Sequence, residues 1–313
     1  MLSFFKRRSA SMSAVSLAVQ PGFVAAVQLA GVGEARPQLR LAQCLASTAA
    51  SAQHKLESMA RQIRLKGSHV RVLLERNEYQ LLQIEAPTVP PEELKTAVRW
   101  QVKDMLRLPV DEVTLDVAPP PEAPAGGRRA MAYVAAASND VVRERMLGFR
   151  IFNSDVDVID IPEMAQRNIA DRLEEPDRAT AVLSLSGTSC LLTASRDGVL
   201  YFTRQFELPG GLSTGAQERR EQLDRLVLDL QRSVDVLEHQ YSWLSVSTLW
   251  VAPFEHADEL LSLLIEHLYL PARAIDLATL FDCSECPLPA SAAERGALFH
   301  ALGLALRAQE TAA

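Results

Sequence analysis

The chain has 313 residues, which at about 150 residues per domain allows two domains and a sizeable core. Apolar residues make up 48% and charged residues 23%, proportions of a globular protein and not of a collagen-like or disordered one. The formal net charge is −7, and bases cluster only at Lys6-Arg7-Arg8 and Arg128-Arg129, so nucleic acid is not an expected partner. The N-terminus sets Phe4 and Phe5 beside Lys6, Arg7 and Arg8, a basic-aromatic tail over 1–12 suited to weak contact with an anionic membrane face. Serines at 9, 11, 13 and 16 interrupt the apolar run that follows, and Pro21-Gly22 breaks it. Two apolar segments around that break predict a β-hairpin in place of a cleaved leader. No run reaches the ~18 apolar residues of a membrane-spanning helix.

A polar connection then leads to a helix over 51–65, with Leu56, Met59, Ala60 and Ile63 on one face. Strands follow at 69–74 and 79–84. Pro90-Pro91-Glu92-Glu93 opens a helix with prolines and acids at its positive end. Leu94, Ala97, Val98, Gln101, Val102 and Met105 form its stripe, and Pro109 ends it. Strands at 110–117 and 130–137 flank a Pro/Gly-rich loop, and Asn139-Asp140 caps a helix running to about 149. A buried strand at 156–161 and a helix over 163–173 follow. From Ala179 the pattern restarts with a hairpin turning at Ser186-Gly187-Thr188, then a strand at 199–206. A long helix over 216–243 carries Leu223, Leu226, Val227, Leu230, Val234 and Leu237 on one face. Strands at 248–252 and 272–275 and helices over 256–268 and 292–307 finish the chain.

The two halves rhyme, each starting with a hairpin and ending in strand–helix units, with an extra αβ block in the first. That is the plan of an actin-like, ribonuclease H-like α/β fold: duplicated, two-lobed, with a subdomain inserted in lobe one. The expected division is 13–68 and 151–177 for lobe one, 69–150 for the inserted subdomain and 178–313 for lobe two. Cys283 and Cys286 have the spacing of half a zinc site, but Cys44 and Cys190 offer no second pair. His256, His267 and His300 are the spare ligands, and the expectation is reduced thiols and no metal.

Specific segments sharpen the fold. They are Glu92-Glu93-Leu94-Lys95-Thr96-Ala97-Val98-Arg99-Trp100-Gln101, Leu108-Pro109-Val110-Asp111-Glu112-Val113-Thr114-Leu115-Asp116, and Val156-Asp157-Val158-Ile159-Asp160-Ile161-Pro162-Glu163. Arg196-Asp197-Gly198, Gln231-Arg232-Ser233-Val234-Asp235 and Leu302-Gly303-Leu304-Ala305-Leu306-Arg307 add to them. With these the sequence resembles the PilM family of actin-like proteins of type IV pilus assembly, most closely its MshI branch from MSHA-type systems. The resemblance implies a cytoplasmic scaffold at the inner-membrane face that binds the N-terminal tail of a bitopic PilN-like protein. It also implies an indirect link to the pilus assembly ATPase. Arg99, Trp100, Gln101 and Pro109 are the candidates to border the partner groove, Trp100 being readable also as a core aromatic of the helix stripe.

The family fold implies a nucleotide between the lobes, with small residues of two hairpins approaching phosphates and an acid organising Mg²⁺. Here Ala18 stands where the first acid belongs and Gln20 replaces a glycine, followed by Pro21, which lacks a donor. Ser184 stands for the second acid, ahead of Ser186 and Gly187, and the late loop 249–254 holds no glycine. Three altered motifs predict a degenerate nucleotide site, with no ATP or Mg²⁺ as cofactor and no catalysis. The rival readings are a working actin-like ATPase or ATP-dependent switch, using an acid such as Asp160 or Asp197, and the cytoplasmic domain of a GspL-like secretion protein.

Overall fold

The structure, a computed structural model, describes residues 14–63, 65, 68–121 and 130–307. Strands β1 (Val15–Gln20) and β2 (Phe23–Ala30) form the first hairpin, and β3 (Gln38–Ala46) extends it. After α1 (Ala52–Gln62), β4 (His69–Leu73) runs parallel to β1. The chain then makes an inserted three-stranded sheet from β5 (Tyr79–Glu85), β6 (Val113–Val117) and β7 (Met131–Ser138), in the order β5-β7-β6. Two helices, α2 (Pro91–Val102) and α3 (Asn139–Gly148), accompany it. Strand β8 (Asp155–Asp160) returns to the first sheet, whose order is β3-β2-β1-β4-β8, and α4 (Pro162–Ala170) follows.

The second half repeats this topology. Strands β9 (Ala179–Ser186), β10 (Ser189–Arg196) and β11 (Val199–Glu207) form an antiparallel meander, followed by α5 (Ala216–Gln240), β12 (Val246–Val251) and α6 (Ala257–His267). Next come β13 (Ala272–Ala274), the single turn α7 (Leu277–Leu280) and α8 (Ala292–Ala305). The sheet order β11-β10-β9-β12-β13 matches the first sheet strand for strand, three antiparallel and two parallel. The duplicated two-lobe plan with an insertion is therefore present.

Helix α5 buries the predicted stripe from Leu223 to Leu237 in the core of lobe two. Helix α8 is apolar nearly all round and forms one cluster with residues of both sheets and of α4. Its crossing with α4 is close: a Cβ on Gly303 would fall well inside van der Waals contact of the Ala165 carbonyl, so only glycine fits. Its last carbonyls, Leu304 O and Ala305 O, and Arg307 O beyond it receive the buried Arg71 guanidinium at 3.3, 3.2 and 2.7 Å, a cation at the negative end of the helix.

Four expectations are corrected. The connection after the first hairpin contains a strand, β3, because its chain finds an open edge on β2. Strand β4 hydrogen-bonds within the first sheet, so the insertion begins after Leu73 and not at residue 69. Strand β8 is an edge and only partly buried, since among the described residues it has a neighbour on one side alone. In α2 the buried side chains are Val98 and Val102, while Gln101 and Trp100, and Met105 just beyond the helix, face solvent, so Trp100 is not a core aromatic. No helix of the described residues is long and apolar enough to cross a membrane.

Candidate functional site

The tips of the two lobe hairpins meet. Gln20, at the end of β1, donates through Nε2 to Ala297 O at 3.1 Å and accepts from Ser186 Oγ at 3.1 Å. Pro21 lies directly against Gly187, which turns between β9 and β10 with φ +59°; a Cβ on Gly187 would stand 2.5 Å from Pro21 Cβ. Glycine is thus required there twice, for its left-handed backbone and for the proline ring beside it. This contact stands between two cavities that share Gln20, Pro21 and Ser186. One, of about 450 Å³, continues to Leu212, Thr214, Phe254 and His256. The other, of about 520 Å³, continues toward the inserted subdomain through Glu75, Arg76, Tyr79, Glu163, Ser184 and His300.

The positions that the sequence marks as lost acids are occupied in different ways. Ala18 is buried in the apolar cluster around α8. Ser184 is buried, donates from Oγ to Gln166 Oε1 at 2.6 Å and stands 3.2 Å from His300 Nε2. Gln166 in turn donates through Nε2 to Val182 O at 2.7 Å, Leu191 O at 3.1 Å and Thr193 Oγ1 at 2.9 Å. Burial holds the His300 imidazole down at about 4, so this network is neutral at physiological pH.

Glu75, Glu163, Glu207 and Glu255 line the two cavities, and of these Glu163 alone is buried. Glu163 lies in the first turn of α4, buried, and accepts from Tyr79 Oη at 2.6 Å. Burial pushes its carboxyl above the ordinary range, opposed by the tyrosine hydrogen bond. Tyr79 shares that burial and is pushed well up. Asp160 accepts from Ile161 N at 2.9 Å and Arg307 Nη1 at 2.7 Å, outside both cavities. Asp197 sits in the β10–β11 turn at φ +53°, its N–H bonded to Glu174 at 2.9 Å. Both have structural work. Gly210 and Gly211 form the turn between β11 and α5, as a linker would. No group of three His, Cys, Asp or Glu side chains among the described residues is placed to hold a metal.

A second concavity, of about 550 Å³, lies between the inserted sheet and lobe one. Its borders are two sheet edges, β6 and β8, each with a partner on one side only among the described residues. Leu81, Leu115, Val117, Ile159 and Met164 wall it, with Asp160, Arg167 and Arg307 at its polar end. Along β6 it adjoins a shallower hollow of about 360 Å³ through the shared Lys95, Thr114 and Leu115.

Of the four partner-groove candidates, Arg99 alone borders this hollow, its guanidinium on Val110 O at 2.6 Å and Asp111 at 3.2 Å. Gln101 donates to Glu85 O at 3.2 Å, on the other side of α2. Trp100 and Pro109 are exposed, and neither lines the groove. Phe4, Phe5, Lys6, Arg7 and Arg8 lie outside the described residues. Sequence reading passed over Tyr79, Glu163 and Gln166. Glu163 follows Pro162 as any first-turn acid would, and nothing local in the chain announces its burial.

No protein-family model matches the chain, and no curated protein is similar to it. Solved structures do match. A chain of the PilM–PilN type IV pilus biogenesis complex superposes with TM-score 0.75 at 22% identity, over 94% of this chain and 97% of that one. A Bacteroides thetaiotaomicron protein, described as having an actin-like ATPase fold and unknown function, gives TM-score 0.50 at 8% identity, over 90% and 96%. The cytoplasmic domain of EpsL, from the type II secretion system of Vibrio cholerae, gives 0.48 at 16% identity, over 77% and 82%. The chain has the actin-like fold.

Proposed function

We propose that the chain is a scaffold of a type IV pilus assembly platform, held at the cytoplasmic face of the inner membrane by the N-terminal tail of a PilN-like bitopic protein. The observation that carries this reading is the match to a chain of the PilM–PilN complex over nearly the whole of both chains. The groove between β6 and β8 supports it. An extended peptide adds to an open strand edge through main-chain hydrogen bonds and seats alternate side chains in apolar walls. Both parts are present there, and no chemistry is needed.

In the same reading the nucleotide cleft is inactive. Neither hairpin offers an acid to organise Mg²⁺, since Ala18 is sealed in the core and Ser184 is committed to Gln166. Pro21 fills the space against Gly187, where the two turns would otherwise face a phosphate. Loss of these parts is also what favours the MshI branch, in MSHA-type systems, over an ATP-driven relative. The protein then couples the membrane-spanning alignment proteins to the assembly ATPase by binding alone.

The test is titration calorimetry of the purified chain with Mg-ATP and, separately, with a synthetic N-terminal tail of its PilN-like partner. Micromolar peptide binding with no heat from Mg-ATP is the expected result. Tight Mg-ATP binding overturns the inactive cleft, and a folded protein that ignores the peptide overturns the scaffold.

A further inference from the structure

The stretch from Arg99 to Pro109 carries Arg99, Lys103 and Arg107 against the single acid Asp104, in a chain whose net charge is −7. It is also amphipathic. Val102 is buried and Leu106 packs on the core of the inserted subdomain, while Trp100 is 68%, Met105 46% and Leu108 42% exposed. These apolar groups do not sit on a loose loop. Met105 N–H bonds to Val102 O at 2.8 Å, Gln80 Nε2 donates to Met105 O at 3.0 Å, and Arg107 N–H donates to Gln80 Oε1 at 3.0 Å. The side-chain amide of one β5 residue thus clamps the turn at two points, and the outward direction of its apolar groups is fixed.

The charges around the patch decide its partner. Arg99 is engaged by Asp111, but Lys103 and Arg107 are exposed and form no ion pair among the described residues. Lobe two shows the contrast. There Ile265 is 68% and Tyr269 62% exposed, yet Glu266 adjoins them and Tyr269 faces Glu238 and Asp235. An anionic surface repels that patch and attracts this one. Tryptophan with flanking cations is the combination that settles at a bilayer interface, ring among the headgroups and ammonium or guanidinium on phosphate.

We propose that this edge of the inserted subdomain seats on an anionic lipid bilayer. Trp100 lies at headgroup depth, Met105 and Leu108 dip toward the acyl chains, and Lys103 and Arg107 meet lipid phosphates. The proposal stands apart from the pilus reading, because none of these groups lines the β6–β8 groove. Trp100, Lys103, Met105 and Leu108 also lie outside both cleft cavities, and Arg107 stands at the rim of the larger one. A patch of this size binds reversibly and gains from a second membrane signal.

The full chain is mixed with vesicles of phosphatidylglycerol and phosphatidylethanolamine carrying brominated acyl chains, and with phosphatidylcholine vesicles as control. Bromine quenching of tryptophan fluorescence in the anionic vesicles alone is expected, and W100F removes it although Trp243 and Trp250 remain. K103Q/R107Q weakens binding by about fivefold for each cation removed. M105S/L108S, at exposed positions, weakens it while leaving the thermal melt unchanged. K6Q/R7Q/R8Q lowers affinity but keeps the Trp100 quenching at saturating lipid. No vesicle binding, or binding that the tail triple variant abolishes while W100F, K103Q/R107Q and M105S/L108S leave it intact, overturns the proposal.

Discussion

Replacing His300 with glutamine should flatten the acid side of the protein's stability profile. The imidazole is buried between Ser184 and Gln166, and burial alone holds it near 4, against an ordinary value of about 6.5 in the unfolded chain. The unfolded state therefore binds a proton that the folded state refuses, so stability falls as pH falls through this window. Between about pH 7 and pH 5 the linkage amounts to roughly 2 kcal/mol, present above the unfolded value and fully lost only near the folded one. Glu163 works in the opposite sense, since its raised carboxyl favours the folded state in acid. Comparing the variant with the parent cancels that contribution. Urea unfolding at a series of pH values in this range gives both curves. The parent should lose about 2 kcal/mol more than H300Q over the interval. Parallel curves would refute the reasoning, because they would mean that His300 keeps its proton when folded.

Two further variants probe the packing around the cleft. Gly303→Ala gains about 1 kcal/mol of helix propensity, yet its Cβ meets the Ala165 carbonyl, backbone against backbone, which side-chain rotation cannot relieve. A net loss of about 2 kcal/mol is expected, read as a lowered urea midpoint at unchanged slope, and a stabilised protein would contradict the close crossing. Tyr79→Phe removes the hydroxyl that donates to the buried Glu163 carboxyl at 2.6 Å. A loss of about 1–3 kcal/mol is expected, read as a lowered urea midpoint, and an unchanged midpoint would mean that the hydrogen bond adds nothing to stability.

What the chain announces by itself is whatever burial writes into consecutive residues. The α5 stripe from Leu223 to Leu237, the hairpin around Pro21-Gly22 and the repeat beginning at Ala179 are of this kind, because one buried face imposes a period on its own element. That Ala18 and Ser184 cannot supply a carboxylate is legible in any fold. Strand β3 escaped notice because its alternation is weak and its role depends on the free edge of β2. Trp100 was ambiguous because helical spacing alone does not say which face of α2 meets the sheet.

Tertiary structure alone decided the rest. Tyr79 and Glu163 are 84 positions apart, and Ser184 and His300 are 116 apart, so no local pattern links them. The same holds for Pro21 against Gly187, and for the groove that two strand edges make only when the inserted sheet lies beside lobe one. Periodicity records which side of an element is buried; it carries no record of which distant element does the burying.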